Sequence, residues 1–188
     1  PEVAAATPWF MAVNFVNPHD VMFFDTDADE MVQAKSMFPI FDAPDTPLYQ
    51  QQWQTTLPAS FFDDLEGQPP AIADYKRLCD MYYGRIPMDR RDMWHNHVNY
   101  YLNCILDVDR HIGALLDALE ASGQADDTIV IFTSDHGEQG GAHHLRQKGS
   151  VVFKESVNVP LVIADPRHPG AHRSDAVGSH LDLVPTIL

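Results

Sequence analysis

The clearest pattern along the chain is a long amphipathic run in its middle. Apolar residues recur at i, i+3, i+4 and i+7 between Val98 and Leu119, which is the spacing of one face of an α-helix. Asp89 or Asp92 can cap the start of this helix, and Gly123 can end it. At a rise of about 1.5 Å per residue the helix would be roughly 45 Å long, enough to cross one face of a sheet.

Short apolar runs without alternation predict buried strands on either side of this helix. They span residues 9–16, 128–133 and 159–164, and a further helix or turn starts within residues 181–188. Strands that are covered on both faces lack the usual alternation of apolar and polar positions. The order strand, helix, strand, crossover and strand predicts an α/β fold with a largely parallel sheet flanked by helices.

Residues 25–87 interrupt this order. They carry acids, many prolines and scattered aromatics with no sustained period, although residues 71–83 are compatible with a helix. The segment holds too many aromatic side chains to remain solvated, so it is not a disordered linker. We expect it to be an excursion from the core.

Composition and charge narrow the class of protein. The 188 residues suit one domain or part of a larger one. A net charge of −15 argues against a nucleic-acid partner, and no apolar run approaches the roughly 20 residues of a membrane span. The chain starts with Pro1 and stops at Leu188 within an apolar pattern, so we expect an incomplete fragment. Cys79 and Cys104 are too few for a disulfide framework, and two buried thiols are favoured over a single bridge.

An acid and an imidazole directly follow the second predicted strand. Asp135 and His136 come after residues 128–133, and Gly137 gives the chain the freedom to turn both side chains toward one site. Carboxylate oxygen and imidazole nitrogen are both ligands of divalent cations. A plain turn with an incidental histidine fits this spacing equally well.

A lysine and further imidazoles accompany this pair. Lys148 can stabilise an anionic ester oxygen as a point charge, although a lone loop lysine is more often solvated. His19 follows the first predicted strand, and strand ends of a parallel sheet open onto the same edge. His143 adjoins His144, so at most one of the two easily points into a given site. Together these residues predict one pocket for a cation and an oxyanion.

These motifs closely resemble the C-terminal half of the sulfatase catalytic domain, within the alkaline phosphatase-like superfamily. The matching residues are Ser134-Asp135-His136-Gly137-Glu138, Gly141-x-His143, Lys148-Gly149, Glu155-Ser156, Val159-Pro160-Leu161, Asn17-Pro18-His19, Asp107-x-Asp109-x-x-Ile112-Gly113-x-Leu115-Leu116 and Ser179-His180-Leu181-Asp182-Leu183-Val184-Pro185-Thr186-Ile187-Leu188. The resemblance implies an alkaline phosphatase-like fold. It implies that residues 1–188 are part of a single sulfatase catalytic domain, in which residues 25–87 are a variable excursion near the substrate pocket.

The resemblance also implies a reaction. It is the hydrolysis of sulfate esters of small molecules or carbohydrates, by attack of a hydrated formylglycine on sulfur. Asp135 and His136 would bind a divalent metal, most often Ca²⁺, with Mn²⁺ or Zn²⁺ as alternatives. Lys148 and His19 would contact the sulfate and its leaving oxygen, and His143 is a weaker candidate for the same pocket. Related enzymes are often secreted or periplasmic.

The chain departs from the family in one important respect. The Cys/Ser-x-Pro-Ser/Thr-x-Arg signature of the formylglycine precursor is absent, and neither Cys79 nor Cys104 stands in such a motif. We expect the nucleophile upstream of Pro1 and an inactive fragment without it. Two alternatives stay open: a phosphonate monoester or phosphodiester hydrolase of the same superfamily, and a non-catalytic metal- or carbohydrate-binding module.

Overall fold

The computed structural model describes residues 7–26 and 38–188, which hold four α-helices and two strands. The helices are α1 (Pro70–Tyr83), α2 (Arg91–Ala121), α3 (Lys154–Val157) and α4 (Leu183–Ile187), and the strands are β1 (Val130–Thr133) and β2 (Leu161–Ala164). Short 3-10 helices lie at His19–Phe23, Ala59–Phe62, Ala125–Asp127, Ala142–His144 and His180–Asp182. None of the helices in these two ranges combines the length and the apolar character that a membrane span needs.

The long central helix predicted from the apolar spacing is confirmed as the 31-residue α2. Its N-cap is Arg90, and no side chain caps the helix start. Asp92 lies instead in the first turn, where its negative charge interacts favourably with the helix dipole. Gly123 follows the last turn with φ of 72° and donates its N–H to the Glu120 carbonyl at 2.9 Å, so it ends the helix as predicted.

The two strands pair antiparallel, and their register joins Val130 to Ala164 and Thr133 to Leu161. The predicted largely parallel sheet is therefore not formed among the described residues. The connection from β1 to β2 holds only the 3-10 helix Ala142–His144 and the single-turn α3, so it lacks the long helical crossover that usually joins parallel strands. Residues 9–16, predicted as a buried strand, form no strand and are exposed.

Residues 9–16 nevertheless have a defined direction along α2. The Trp9 indole donates to the Gln124 side chain at 2.9 Å, beyond the C-terminal end of the helix. The Phe15 ring stacks on His111, nearer the middle of the helix, with ring centroids 6.3 Å apart. The segment therefore runs antiparallel to α2 and leads into the 3-10 helix His19–Phe23.

The main hydrophobic core lies between residues 57–62 and the start of α2. It consists of Phe61, Ile86, Met93 and Trp94, with Leu57 packed against it. The apolar content of the two strands contributes less, because the side chains of β2 are exposed. The aromatic residues of the predicted excursion are thus part of the packing.

A polar stripe on α2 binds the extended chain before this core. Asn99 accepts the backbone N–H of Trp53 at 2.7 Å, and Asn103 accepts the Trp53 indole N–H at 2.6 Å. Tyr49 donates its hydroxyl to Asp107 at 3.1 Å. The three helix residues lie four positions apart and therefore share one face of α2.

Both cysteines are buried free thiols, which confirms the favoured interpretation. Burial raises the pKa of Cys79 and of Cys104. Neither side chain is therefore an activated nucleophile.

Candidate functional site

A cavity of about 280 Å³ lies at the C-terminal end of β1. It is lined by Asp135, His136, Lys148, Gly149, Val151, Ser156, Val157 and His180. Three residues that the sequence proposed for one pocket, Asp135, His136 and Lys148, therefore border the same space. A larger cavity of about 530 Å³ lies at the other end of β1, between the end of α2 and the loop after β2, and none of the predicted site residues line it.

The Asp135 and His136 side chains converge at the mouth of this cavity. Oδ2 of Asp135 lies 3.4 Å from Nε2 of His136, and the Asp135 side chain is 83% exposed. Nδ1 of His136 lies 3.0 Å from the carbonyl oxygen of Gly137. Because a carbonyl only accepts, we infer that Nδ1 carries a proton, so that in the neutral ring Nε2 has the lone pair.

The two donor atoms are of the types that bind divalent cations in proteins. A carboxylate oxygen and a neutral imidazole nitrogen with its other nitrogen engaged are the usual arrangement of metal-binding side chains. Among residues 7–26 and 38–188, no group of three or more His, Cys, Asp and Glu side chains is arranged to hold a metal ion. Asp135 and His136 are therefore a candidate pair of donors, without a third His, Cys, Asp or Glu arranged beside them in this part of the chain.

The turn after β1 is held by Gly137. Its N–H donates to the carbonyl of Ser156 at 2.8 Å. A Cβ at this position would lie 2.0 Å from the Glu155 carbonyl oxygen. Glycine is thus required because the backbone of α3 approaches so closely, and this contact directs Asp135 and His136 toward the cavity.

Lys148 links the cavity to the N-terminal segment. Its Nζ donates to the backbone carbonyl of His19 at 2.6 Å. Burial lowers the pKa of Lys148, and the carboxylates of Glu138, Asp20 and Asp135 oppose that shift. Lys148 therefore joins the loop after residues 9–16 to the loop after β1, although residues 9–16 are not paired with β1.

The His19 imidazole lies elsewhere. Its Nδ1 is 2.8 Å from Oδ1 of Asp20, and the ring is about half exposed. His19 is not among the residues that line the cavity. The structure thus brings its backbone carbonyl, rather than its ring, to Lys148.

His143 also lies outside the cavity lining. Its Nδ1 is 2.7 Å from the Asp63 carboxylate and its Nε2 is 3.9 Å from the Glu155 carboxylate. The ring stacks on Phe153 with centroids 4.0 Å apart. Two carboxylates and an aromatic ring therefore engage this imidazole and tie the loop to the segment around Asp63.

Glu138 is a buried carboxylate that shapes the loop leading to Lys148. Its Oε1 accepts the backbone N–H of Gln147 and, at 3.4 Å, that of Gly140. Burial raises the pKa of Glu138, and these two backbone N–H groups and the cations Lys148 and Arg146 oppose that shift. The carboxylate closes the loop immediately before Lys148 and so fixes where the lysine emerges.

His180 was not predicted from the sequence as a site residue. Its Nε2 lies 2.8 Å from the carbonyl oxygen of Ser134, and the side chain borders the cavity. The available signal was the Ser179…Asp182 spacing, which forms a capping box at the start of the 3-10 helix. That pattern predicts a fixed turn, but it does not predict which cavity the turn faces.

Comparison with known proteins identifies one family. The sulfatase family model matches residues 2–188. "Multifunctional alkaline phosphatase superfamily protein PehA" of Trinickia caryophylli is 30% identical over 192 residues, covering 96% of this chain and 34% of that protein. The choline-sulfatase of Rhizobium meliloti (strain 1021) is 28% identical, over 96% of this chain and 31% of its own length.

A shorter match is stronger in identity. "Uncharacterized sulfatase YidJ" of Escherichia coli (strain K12) is 41% identical over 93 residues, covering 49% of this chain and 18% of that protein. PehA and the choline-sulfatase match nearly all of this chain, and the chain spans about a third of the length of each of them.

Proposed function

We propose, because the chain belongs to the sulfatase family, that it forms part of a metal-dependent hydrolase of sulfate esters. The observation that carries this proposal is the convergence of Asp135, His136 and Lys148 on one cavity at the end of β1. The substrate class is a sulfated small molecule or carbohydrate. Choline-sulfatase, among the similar proteins, is named for a substrate of that kind.

Asp135 and His136 would hold the divalent metal. The exposed carboxylate and the free Nε2 lone pair lie 3.4 Å apart and suit Ca²⁺, or Mn²⁺ or Zn²⁺ as alternatives. Such a cation, when bound, supplies positive charge that polarises the sulfate oxygens. The proton on Nδ1 is held by the Gly137 carbonyl, which keeps the imidazole in the ligating tautomer.

Lys148 would bind the sulfate and stabilise charge on the leaving oxygen. The His19 carbonyl engages one of its N–H groups and leaves two for an anion. The Glu138 carboxylate accepts the backbone N–H of Gln147 and so holds the backbone next to Lys148 in place. A fixed cation aimed at developing negative charge lowers the reaction barrier without reorganisation.

Contacts of the His19 and His143 imidazoles with the sulfate stay predictions. In the structure, Nδ1 of His19 lies against the carboxylate of Asp20, and Nδ1 of His143 against that of Asp63. Their present contacts suggest supporting roles in holding the loops around the cavity.

Two further parts of the proposal concern the whole protein. The hydrated formylglycine that the resemblance implies would come from a segment outside these 188 residues, and the chain alone would be inactive. Residues 9–16 and β1 would be strands of a largely parallel sheet. In support of this, both lead to the same cavity, one through the His19 carbonyl and the other through Asp135.

A specific observation also favours a second candidate, a phosphonate monoester or phosphodiester hydrolase. The site offers an imidazole nitrogen, which Mn²⁺ and Zn²⁺ accept more readily than Ca²⁺. The similarity to PehA, named as multifunctional, is compatible with this choice. Turnover of an aryl sulfate and a phosphate diester by one preparation, together with metal analysis, separates the two.

The test of the site is mutagenesis in the protein that includes both this chain and the nucleophile. His136→Ala and Lys148→Ala should each lower kcat/KM for an aryl sulfate by about 100-fold or more, because each removes a charge-stabilising group. His95→Ala, at an exposed position on α2, is the matched control and should leave turnover unchanged. Near-normal turnover in either site variant would contradict the assignment, and a protein without any hydrolase activity would favour a binding module.

A further inference from the structure

We propose that His180 is a positioning residue of the cation site, which it serves by fixing the peptide group that carries Asp135. This inference rests on the proposed function, because it assumes that Asp135 binds a metal. The observations that carry it are the contact of the His180 ring with the Ser134 carbonyl and the place of both residues at one cavity.

Ser134 is the residue through which β1 passes into the site. Its hydroxyl donates to the His136 carbonyl at 2.7 Å, and its own carbonyl lies 2.8 Å from Nε2 of His180. The Ser134 carbonyl belongs to the same rigid peptide unit as the Asp135 N–H. Rotation of that unit would change the direction in which the Asp135 side chain leaves the backbone. His180 therefore restrains the carboxylate without touching it.

Hydrogen bonds within the local turn hold His180 in its position. The Ser179 backbone N–H donates to Asp182 at 2.7 Å, and the Ser179 hydroxyl donates to the same oxygen at 3.0 Å. Thr186 then donates its hydroxyl to the Asp182 carbonyl at 2.6 Å and holds α4 against the turn. These bonds define the turn from Ser179 to Asp182, which places the imidazole of His180 at the cavity.

The geometry also assigns the tautomer of His180. The carbonyl of Ser134 accepts only, so Nε2 carries the proton and Nδ1 has the lone pair. This is the reverse of His136, whose Nδ1 faces a carbonyl. His180 thus presents an N–H to the backbone of the site, whereas His136 presents a lone pair to a cation.

The experiment measures Mn²⁺ binding to the protein that includes both this chain and the nucleophile, by the loss of the free-ion electron paramagnetic resonance signal. His180→Phe keeps a ring but removes the donor, and it should weaken Mn²⁺ binding by about tenfold, the scale typical of residues that orient ligands. His180→Gln, whose amide N–H reaches the same carbonyl, should restore binding to within about threefold, which a merely space-filling role would not explain. His172→Phe, at an exposed position in the loop after β2, is the control and should bind like the wild type.

Two outcomes separate the failure of this inference from the failure of the proposed function. If His136→Ala loses Mn²⁺ binding but His180→Phe binds like the wild type, the positioning role is wrong and the cation site stands. If the wild type and His136→Ala bind Mn²⁺ equally, the positioning role of His180 and the proposed cation site are both wrong. Imidazole ¹⁵N spectra of the wild type give a test independent of any folding defect: a His180 ring protonated on Nδ1 alone overturns the inference, and a proton on Nε2 supports it.

Discussion

The buried imidazole of His97 makes one residue-scale property of the protein predictable. The side chain is fully buried on α2, and neither ring nitrogen has a hydrogen-bond partner in the part of the chain that the structure describes. Burial, with a smaller contribution from the Arg146 guanidinium, lowers the pKa of His97 well below its usual 6.5. Burial also lowers the pKa of His144, so both imidazoles favour the neutral form when the protein is folded.

We expect the free energy of unfolding to fall as the pH drops below about 6.5. In that range the unfolded chain binds a proton at His97 that the folded chain does not bind. The free energy of unfolding therefore rises with pH, at up to about 1.4 kcal/mol per pH unit for this group. Urea unfolding at pH 7.5, 6.5 and 5.5 measures the slope. His97→Leu should reduce the pH dependence, leaving the share of His144, whereas the exposed His95→Leu should not. An unchanged slope in His97→Leu would show that this imidazole titrates normally.

The same scale shows which site residues a sequence can predict. The convergence of Asp135, His136 and Lys148 on one cavity could be predicted because the three residues follow one strand within a single loop, and the composition of that loop is a local signal. The contacts of His143 and His180 were not, because their partners Asp63 and Ser134 lie far away in sequence. A histidine does not reveal from its neighbours whether it faces a cavity or a carboxylate.

At the scale of elements, Gly149 marks the place where the site loop packs on α1. A Cβ there would lie 1.5 Å from the Tyr75 hydroxyl and 1.9 Å from its Cζ, and the backbone has φ of +46°. The Tyr75 hydroxyl in turn donates to the Gln147 side chain. The glycine therefore allows a tyrosine of α1 to lie directly against the residue after Lys148.

Gly149→Ala should destabilise the chain by about 2–4 kcal/mol, because it forces Tyr75 away and strains a left-handed backbone. Gly113→Ala, in the interior of α2, is the matched control. Its added Cβ meets nothing within 4 Å, so the higher helix propensity of alanine should stabilise the chain by up to about 1 kcal/mol. Chemical unfolding of both variants checks the opposite signs, and a neutral Gly149→Ala would mean that α1 and the loop do not pack as described.

The elements also differ in how well their sequence predicts them. The existence of α2 and its end followed from the apolar period and Gly123, since helix contacts are local, whereas its start at Arg91 lies seven residues before the first periodic residue, Val98. The strands β1 and β2 were located within two residues, but their antiparallel pairing was not predicted. An apolar run without alternation indicates a strand, and it carries no information on the direction of its partner. The hydrogen bonds of Asn99, Asn103 and Asp107 were not predicted either, because they join polar groups and an apolar period carries no information on them.

For the whole molecule, the α/β class of the sulfatase family was predictable, whereas the placement of the core was not. The pattern assigned burial to the strands and treated residues 25–87 as an excursion. In the described structure Phe61 of that excursion is fully buried against Trp94, while Val162 of β2 is 57% exposed. Hydrophobicity shows which segments favour burial, but the partner that covers each one depends on tertiary packing.

The exposed two-stranded sheet leads to a prediction for the behaviour of the chain in solution. Phe132 and Val162 are register partners on one sheet face and are 43% and 57% exposed. Two strands alone are marginal in water, and an apolar face of this kind favours association.

Phe132→Lys with Val162→Glu keeps the net charge and places opposite charges across the strands. Sedimentation velocity should show less self-association, with a Tm within a few degrees of the wild type. Gln52→Lys with Gln54→Glu, at exposed positions, controls for the added charges and should change neither property. A large loss of stability in the sheet variant would mean that this face is buried within the chain, against the exposure found here.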